Sequence, residues 1–187
     1  MIKMISKAAL IIAALSTTSQ MALAESVKFE TTLGNFTVEL NSEKAPISVA
    51  NFIRYVEDGS YVGTQFHRVI PGFMAQGGGF DKNMMKKPSY GPIKNEGYNG
   101  LGNDTATIAM ARTNNPDSAT RQFYINLNDN DFLNASQRPP GYAVFGKVTQ
   151  GFDVIQKMAT KKTKALPNGM RDIPVEPIII TKATLIK

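Results

Sequence analysis

What most limits this chain is the shortness of its apolar runs. Hydrophobic residues arrive in alternating stretches of a few positions, each cut off by Gly, Pro or Asn. Alternation puts every second side chain on one face, so each stretch reads as a half-buried strand. Residues 27–40 (VKFETTLGNFTVEL) alternate around Leu33-Gly34-Asn35 and predict a hairpin. Its buried face holds Val27 and Phe29 before the turn and Phe36, Val38 and Leu40 after it. Residues 64–76 are strand-like around a Pro71-Gly72 turn, and Gly77-Gly78-Gly79 follows. Further strands are expected at 107–111, 122–127, 142–148 and within 177–186. Asn114-Asn115-Pro116-Asp117 and Asn168-Gly169 read as turns.

Only two stretches carry helical spacing. Val49, Phe52, Ile53 and Val56 recur on one face behind Pro46, and Gly59 ends the run, so residues 46–58 predict an amphipathic helix. Residues 151–158 predict a short second one, with Val154, Ile155 and Met158 inward. Many strands, two helices and no strand–helix–strand rhythm predict an antiparallel sheet that closes or sandwiches. Residues 81–104 are rich in Gly, Pro, Asn and Lys and read as a long surface loop, a kind more often functional than idle. There is no repeat and no linker, so residues 25–187 read as one domain.

Residues 1–24 read as a secretory signal peptide. Lys3 and Lys7 precede the apolar run AALIIAAL, and Ala22-Leu23-Ala24 is a small-x-small cleavage site before Glu25. The run is too short to span the ~30 Å of a bilayer core. Cleavage removes two lysines and no acid, lowering the net charge from +6 to +4. The remaining lysines are scattered, and Lys161, Lys162 and Lys164 suit a helix end. Neither this pattern nor export fits a nucleic-acid partner, which would need a concentrated basic face. Ten Phe and six Tyr exclude a disordered chain. Cys is absent and His67 is the one histidine, which excludes disulfides, thiolate chemistry and multi-His metal sites.

Candidate chemistry concentrates in FHRVIPGFMAQGG (66–78), where Arg68 and Gln76 stand among large apolar residues. Alternation places Phe66, Arg68 and Ile70 on one side and His67 and Val69 on the other. Two readings of Arg68 remain open. Its donor fork over an apolar floor suits a carbonyl oxygen or a small anion. It also fits an exposed rim arginine laid over Phe. Gly77-Gly78-Gly79 lacks the Lys-Ser/Thr of a phosphate loop and reads as a bulge or tight turn. His67 reads as a packed residue before a general base. No carboxylate pair or Gly-x-Ser-x-Gly elbow is present. Asn35, Asn103 and Asn134 match the glycosylation acceptor pattern, which is short enough to occur by chance.

Taken together, FHRVIPGFMAQGG (66–78), TIAMAR (107–112), SATRQFYIN (118–126), FL (132–133) and GYAVFGKV (141–148) resemble cyclophilin-type peptidyl-prolyl isomerases, most of all their exported bacterial branch. The resemblance implies a mainly β fold, a closed eight-stranded antiparallel barrel capped by two helices. It implies cis/trans isomerisation of Xaa-Pro bonds with no cofactor and no metal, by a monomer in the periplasm acting on unfolded or partly folded exported proteins. After cleavage no membrane contact is expected. By position it assigns the catalytic arginine to Arg68 and the proline pocket to Phe73, Met74, Tyr124 and Leu133. Gln76 would bind the substrate backbone, Ala111 and Arg112 would offer a strand edge, and Gln122 would line a neighbouring pocket. Phe132 stands where Trp is frequent and lacks its indole N–H, so weak or no cyclosporin binding is expected. Tyr142 stands where His is frequent, Tyr124 where Phe is usual, Arg121 where Ser is usual and Ala106 where Gly is common. A second expectation is a Pro-peptide-binding chaperone or scaffold whose isomerase activity is secondary.

Overall fold

The expected hairpin forms first along the chain. β1 (Ser26–Thr31) and β2 (Gly34–Leu40) pair antiparallel with Val27 opposite Val38 and Phe29 opposite Phe36. This computed structural model describes residues 25–187, so the expected signal segment lies outside the described residues. Six more strands join the same sheet: β3 (Thr64–Ile70), β4 (Met74–Asp81), β5 (Thr107–Met110), β6 (Phe123–Asn126), β7 (Val144–Gln150) and β10 (Ile180–Ile186). Their order is β10–β1–β2–β7–β5–β6–β4–β3. Two-residue strands β8 (Thr163–Lys164) and β9 (Ile173–Pro174) form a separate ladder, and β9 packs beside β3.

The sheet is an open half-barrel, which corrects the expected closed barrel. Its edges, β3 and β10, meet only at one isolated bridge, Gln65 with Ile179, and at bonds from Phe66 N to Ile178 O (2.9 Å) and Gly63 N to Ile180 O (2.8 Å). Two features stop a full ladder there. Pro177 has no N–H to give. The β3 register also slips twice against β4, between Thr64 and Phe66 and between Phe66 and Arg68, and such bulges twist an edge away from its neighbour.

Rings fill the interior. Phe29 stacks on Phe36 at 5.0 Å, Phe52 lies 5.0 Å from Phe145, and Phe123 meets Phe52, Tyr61 and Phe66 edge-on at 5.4–5.9 Å. All of these side chains are fully buried. Edge-on and tilted pairs contribute about 0.5–1.5 kcal/mol each beyond the area they bury. Gly78 sits in β4 with φ +82°, where a Cβ would come within 2.9 Å of the Tyr61 ring. The glycine triplet is thus part of a strand crowded by rings, with bulged pairing beside it.

α1 (Pro46–Glu57) packs against β10, and α2 (Phe152–Ala159) against β2, β3 and β4. Val154, Ile155 and Met158 are buried as their spacing predicts. α2 ends at Ala159, so the Lys161–Lys164 group does not form its last turn: Lys164 belongs to β8, and Lys157 is the basic residue at the helix end. α1 has no side-chain cap from its own flank. Glu96, from the long loop, accepts bonds from Ile47 N (2.9 Å), Ser48 N (2.8 Å) and Ser48 Oγ (2.6 Å). A carboxylate there satisfies orphan donors and suits the positive end of the helix.

Arg121 secures the first half of that loop. Its side chain is only 2% exposed. Nε donates to Gly78 O (2.6 Å), Nη2 to Ser60 O (2.6 Å) and Nη1 to Pro88 O, and the guanidinium lies 5.0 Å from the Tyr55 ring. Each lost charged bond leaves a carbonyl unpaired, at about 1–3 kcal/mol apiece. Arg121→Leu is therefore expected to destabilise the protein by at least about 3 kcal/mol, read as a lower urea midpoint with unchanged slope.

Candidate active site

A row of cross-strand partners crosses the outer face of the sheet. Arg68 stands opposite Gln76, Gln76 opposite Tyr124, Tyr124 opposite Ala109, and Ala109 opposite Val144. Met74, Ala109, Tyr124, Leu133 and Val144 form a small apolar cluster there, separate from the interior one. Over it lies a hollow of about 140 Å³ lined by Arg68, Phe73, Met74, Gln76, Ala111, Arg112, Tyr124, Leu133 and Tyr142. Every expected site residue lines this hollow except Gln122 and Phe132. A larger open groove of about 680 Å³, between Glu39 and Asp104, contains none of them.

Gln122 stands behind the hollow. Its Oε1 accepts from Gln76 Nε2 at 2.9 Å, and it packs where a Cβ on Gly79 would lie 2.6 Å from its Cδ. Phe132 is on the rim, 55% exposed and 5.5 Å from Phe73 ring to ring. It belongs to a single 3-10 turn, Asp131–Leu133, whose last residue is the buried Leu133.

The placement of Arg68 departs from simple alternation. His67 is an extra residue on β3, because Phe66 opposes Gly77 while Arg68 opposes Gln76. Phe66 and Val69 therefore enter the interior cluster together, and Arg68 reaches the outer hollow. The expected pairing of Phe66 with Arg68 on one face is overturned by this bulge. His67 itself is 3% exposed, with its ring 4.7 Å from Phe80. Its Nδ1 is buried without a hydrogen-bond partner among the described residues. Burial, above all, pushes its pKa down to about 4. The ring is neutral at neutral pH and packs as a core residue.

Polar side chains hold the apolar walls. Tyr124 Oη donates to Asn103 Oδ1 at 2.6 Å, giving its hydroxyl the partner that burial demands. Burial raises the Tyr124 pKa well above its ordinary value, so the hydroxyl stays protonated. Asn126 Nδ2 donates to Thr107 Oγ1 (2.9 Å), and Asn130 Nδ2 donates to Asn126 Oδ1 (2.7 Å) and Phe73 O (2.9 Å). Asn103 is fully buried in this network and is therefore no glycan acceptor. On the far side, Arg112 donates through Nε and Nη2 to Gly141 O (3.2 and 3.0 Å) and stacks 4.3 Å over Tyr142. On the near side, Arg68 Nε lies 3.7 Å from Asp172 Oδ2. Asn103, Asn130 and Asp172 escaped the sequence reading. Only the burial and pairing created by the fold distinguish them from other loop residues.

The family model for cyclophilin type peptidyl-prolyl cis-trans isomerases matches residues 26–185. The chain belongs to this family. A peptidyl-prolyl cis-trans isomerase of Acinetobacter baylyi is 50% identical over 178 residues, spanning 95% of this chain and 94% of the relative. Peptidyl-prolyl cis-trans isomerase B of Escherichia coli is 47% identical over 163 residues, spanning 85% and 98%. A Cryptosporidium parvum cyclophilin crystal structure shares the fold, with TM-score 0.73 at 24% identity over 88% of this chain and 99% of that one.

The buried histidine gives this cyclophilin a pH signature. An unfolded histidine takes up a proton near pH 6.5, whereas folded His67 resists protonation until about pH 4. Its contribution to stability is therefore intact above 6.5 and lost as the pH falls towards 4. Denaturant unfolding of His67→Gln should show a flatter acid limb, with the wild type losing about 2–3 kcal/mol more between pH 7 and 4.5.

Proposed function

We propose that this cyclophilin accelerates cis/trans isomerisation of Xaa-Pro bonds in exported polypeptides, with Arg68 as its catalytic residue. The observation carrying this reading is a guanidinium at the edge of a small apolar hollow, next to Gln76 in the same cross-strand row. The barrier to be lowered is amide resonance, about 18–20 kcal/mol for an ordinary peptide bond. Unaided, an Xaa-Pro bond turns over in about tens to hundreds of seconds. No covalent bond breaks, so the protein needs only to bind the twisted amide better than either planar form.

Each residue then has a physical task. Phe73, Met74, Tyr124 and Leu133 grip the prolyl ring. Arg68 donates to the prolyl carbonyl and favours a pyramidal prolyl nitrogen, whose lone pair leaves conjugation. Gln76, oriented by Gln122, binds the substrate backbone. The Ala111 N–H already donates to Gln122 O at 2.9 Å. Successive residues of an extended chain turn their backbone groups to opposite sides, so a substrate strand would pair with the N–H and C=O of Arg112. Arg112 and Tyr142 form the opposite wall. A charged hydrogen bond contributes about 1.5–3 kcal/mol, or roughly one to two powers of ten in rate.

Arg68→Ala is expected to lower kcat/KM by at least about tenfold in a folded protein, measured by NMR exchange on a short Xaa-Pro peptide. An unchanged rate refutes the role of Arg68. If a well-folded wild type gives no acceleration, the hollow is a binding site for Pro-peptides. The site of action follows from the reading of residues 1–24 as a signal, which gives a periplasmic protein. N-terminal sequencing of protein from the periplasmic fraction should start at Glu25, and an uncleaved cytoplasmic product would refute export.

A further inference from the structure

Arg68 is a long side chain on a bulged edge strand, and its side chain is 42% exposed. Unrestrained, such a side chain samples many rotamers, and its donor fork reaches a carbonyl in few of them. The sequence around Arg68 holds no acidic residue to steady it. The fold brings one from far along the chain: Asp172 places Oδ2 at 3.7 Å from Arg68 Nε.

The backbone of Asp172 is fixed from two sides. Its carbonyl accepts from Val69 N at 2.8 Å, tying it to the residue after Arg68. The next residue, Ile173, opens β9 and pairs with Lys164. Asp172 has φ 60°, a left-handed conformation that Asp and Asn tolerate better than other side-chain-bearing residues. That conformation turns the chain so that both the carbonyl and the carboxylate of Asp172 meet β3. The ion pair engages Nε and leaves both Nη groups free for a substrate oxygen.

We propose that Asp172 is a positioning residue for Arg68, holding the guanidinium in the orientation that meets the twisted prolyl carbonyl. The idea rests on Arg68 being the catalytic donor. Two effects of the carboxylate oppose each other. Its charge weakens the pull of Arg68 on the carbonyl, and its contact removes the search for the right rotamer. At this exposure water screens the first effect strongly. The second remains, because even a screened attraction across 3.7 Å narrows the range of guanidinium orientations, so the net effect is a gain in kcat.

The test measures kcat and KM for an Xaa-Pro peptide with the full mature chain as wild type, Asp172→Asn, Arg68→Ala and the double variant. Asparagine keeps the left-handed turn and the carbonyl bond to Val69 and removes only the charge. Asp172→Asn is expected to lower kcat about two- to fivefold at unchanged KM. In the Arg68→Ala background the same change should have no effect, because a residue acting through Arg68 has nothing left to act on. Full kcat in Asp172→Asn overturns the proposal, as does an equal drop in both backgrounds, which marks a fold effect. If Arg68→Ala keeps wild-type activity, it is the role of Arg68 that falls. A second readout is nitrogen relaxation of the Arg68 Nε–H group. It should become more mobile in Asp172→Asn and in wild type at high salt. An Nε–H group equally ordered in both overturns the proposal without reference to activity.

Discussion

The interior of this protein is full, and the rest of its architecture follows from that. Phe29, Phe36, Phe52, Tyr61, Phe66, Phe123 and Phe145 occupy the space enclosed by the sheet. A β-barrel of this size leaves its inside either to side chains or to one small ligand. Here side chains have taken it, and the apolar hollow lies on the outer face instead. The strands alternate: Phe123 and Ile125 point in, and Tyr124 between them points out to the hollow. One strand thus lines the interior and the outer hollow with successive residues.

The bulge at His67 lets β3 do the same within a tighter space. Under unbroken alternation, Arg68 would share the inner face with Phe66, and Val69 would turn outward. With the bulge, two interior positions and one on the outer hollow coexist in four residues. The supports of the site come from elsewhere in the chain: Asp172 beside Arg68, Gln122 behind Gln76, Asn103 beneath Tyr124, and Asn130 at the carbonyl of Phe73. The loop at residues 81–104, expected as a functional surface segment, contributes in large part to structure. Glu96 caps α1, and the stretch near Pro88 is anchored by Arg121.

Much of this was legible in the sequence because its signals are local. The 27–40 hairpin, both helices and the strands flanking Pro71-Gly72 follow from alternation, helical spacing and turn residues. The wall of the hollow was readable only through family resemblance, since alternation alone does not tell which apolar residue faces inward. Three features were hidden. The bulge changes parity by one residue without any Gly or Pro at His67. The open seam depends on how two distant edges meet. Asp172 stands within an ordinary turn sequence, and nothing in Asn168-Gly169-Met170-Arg171 announces a partner for Arg68. Tyr124 illustrates a partial success, since its hydroxyl demanded a partner, but only the fold names Asn103.

One feature of the sheet bears on how the chain reaches this state. β1 lies between β2 and β10, so the first strand of the domain pairs along its whole length with the last. Contacts between such remote segments form late, after the entropy of closing a very large loop has been met. During synthesis, the face of β1 that awaits β10 stays unpaired until Ile180–Ile186 emerge. A nascent chain of this topology remains unfinished until β10 is made, exposing a strand edge that other chains can reach. A protein proposed to act on the slow folding of others thus completes its own fold only at its last strand.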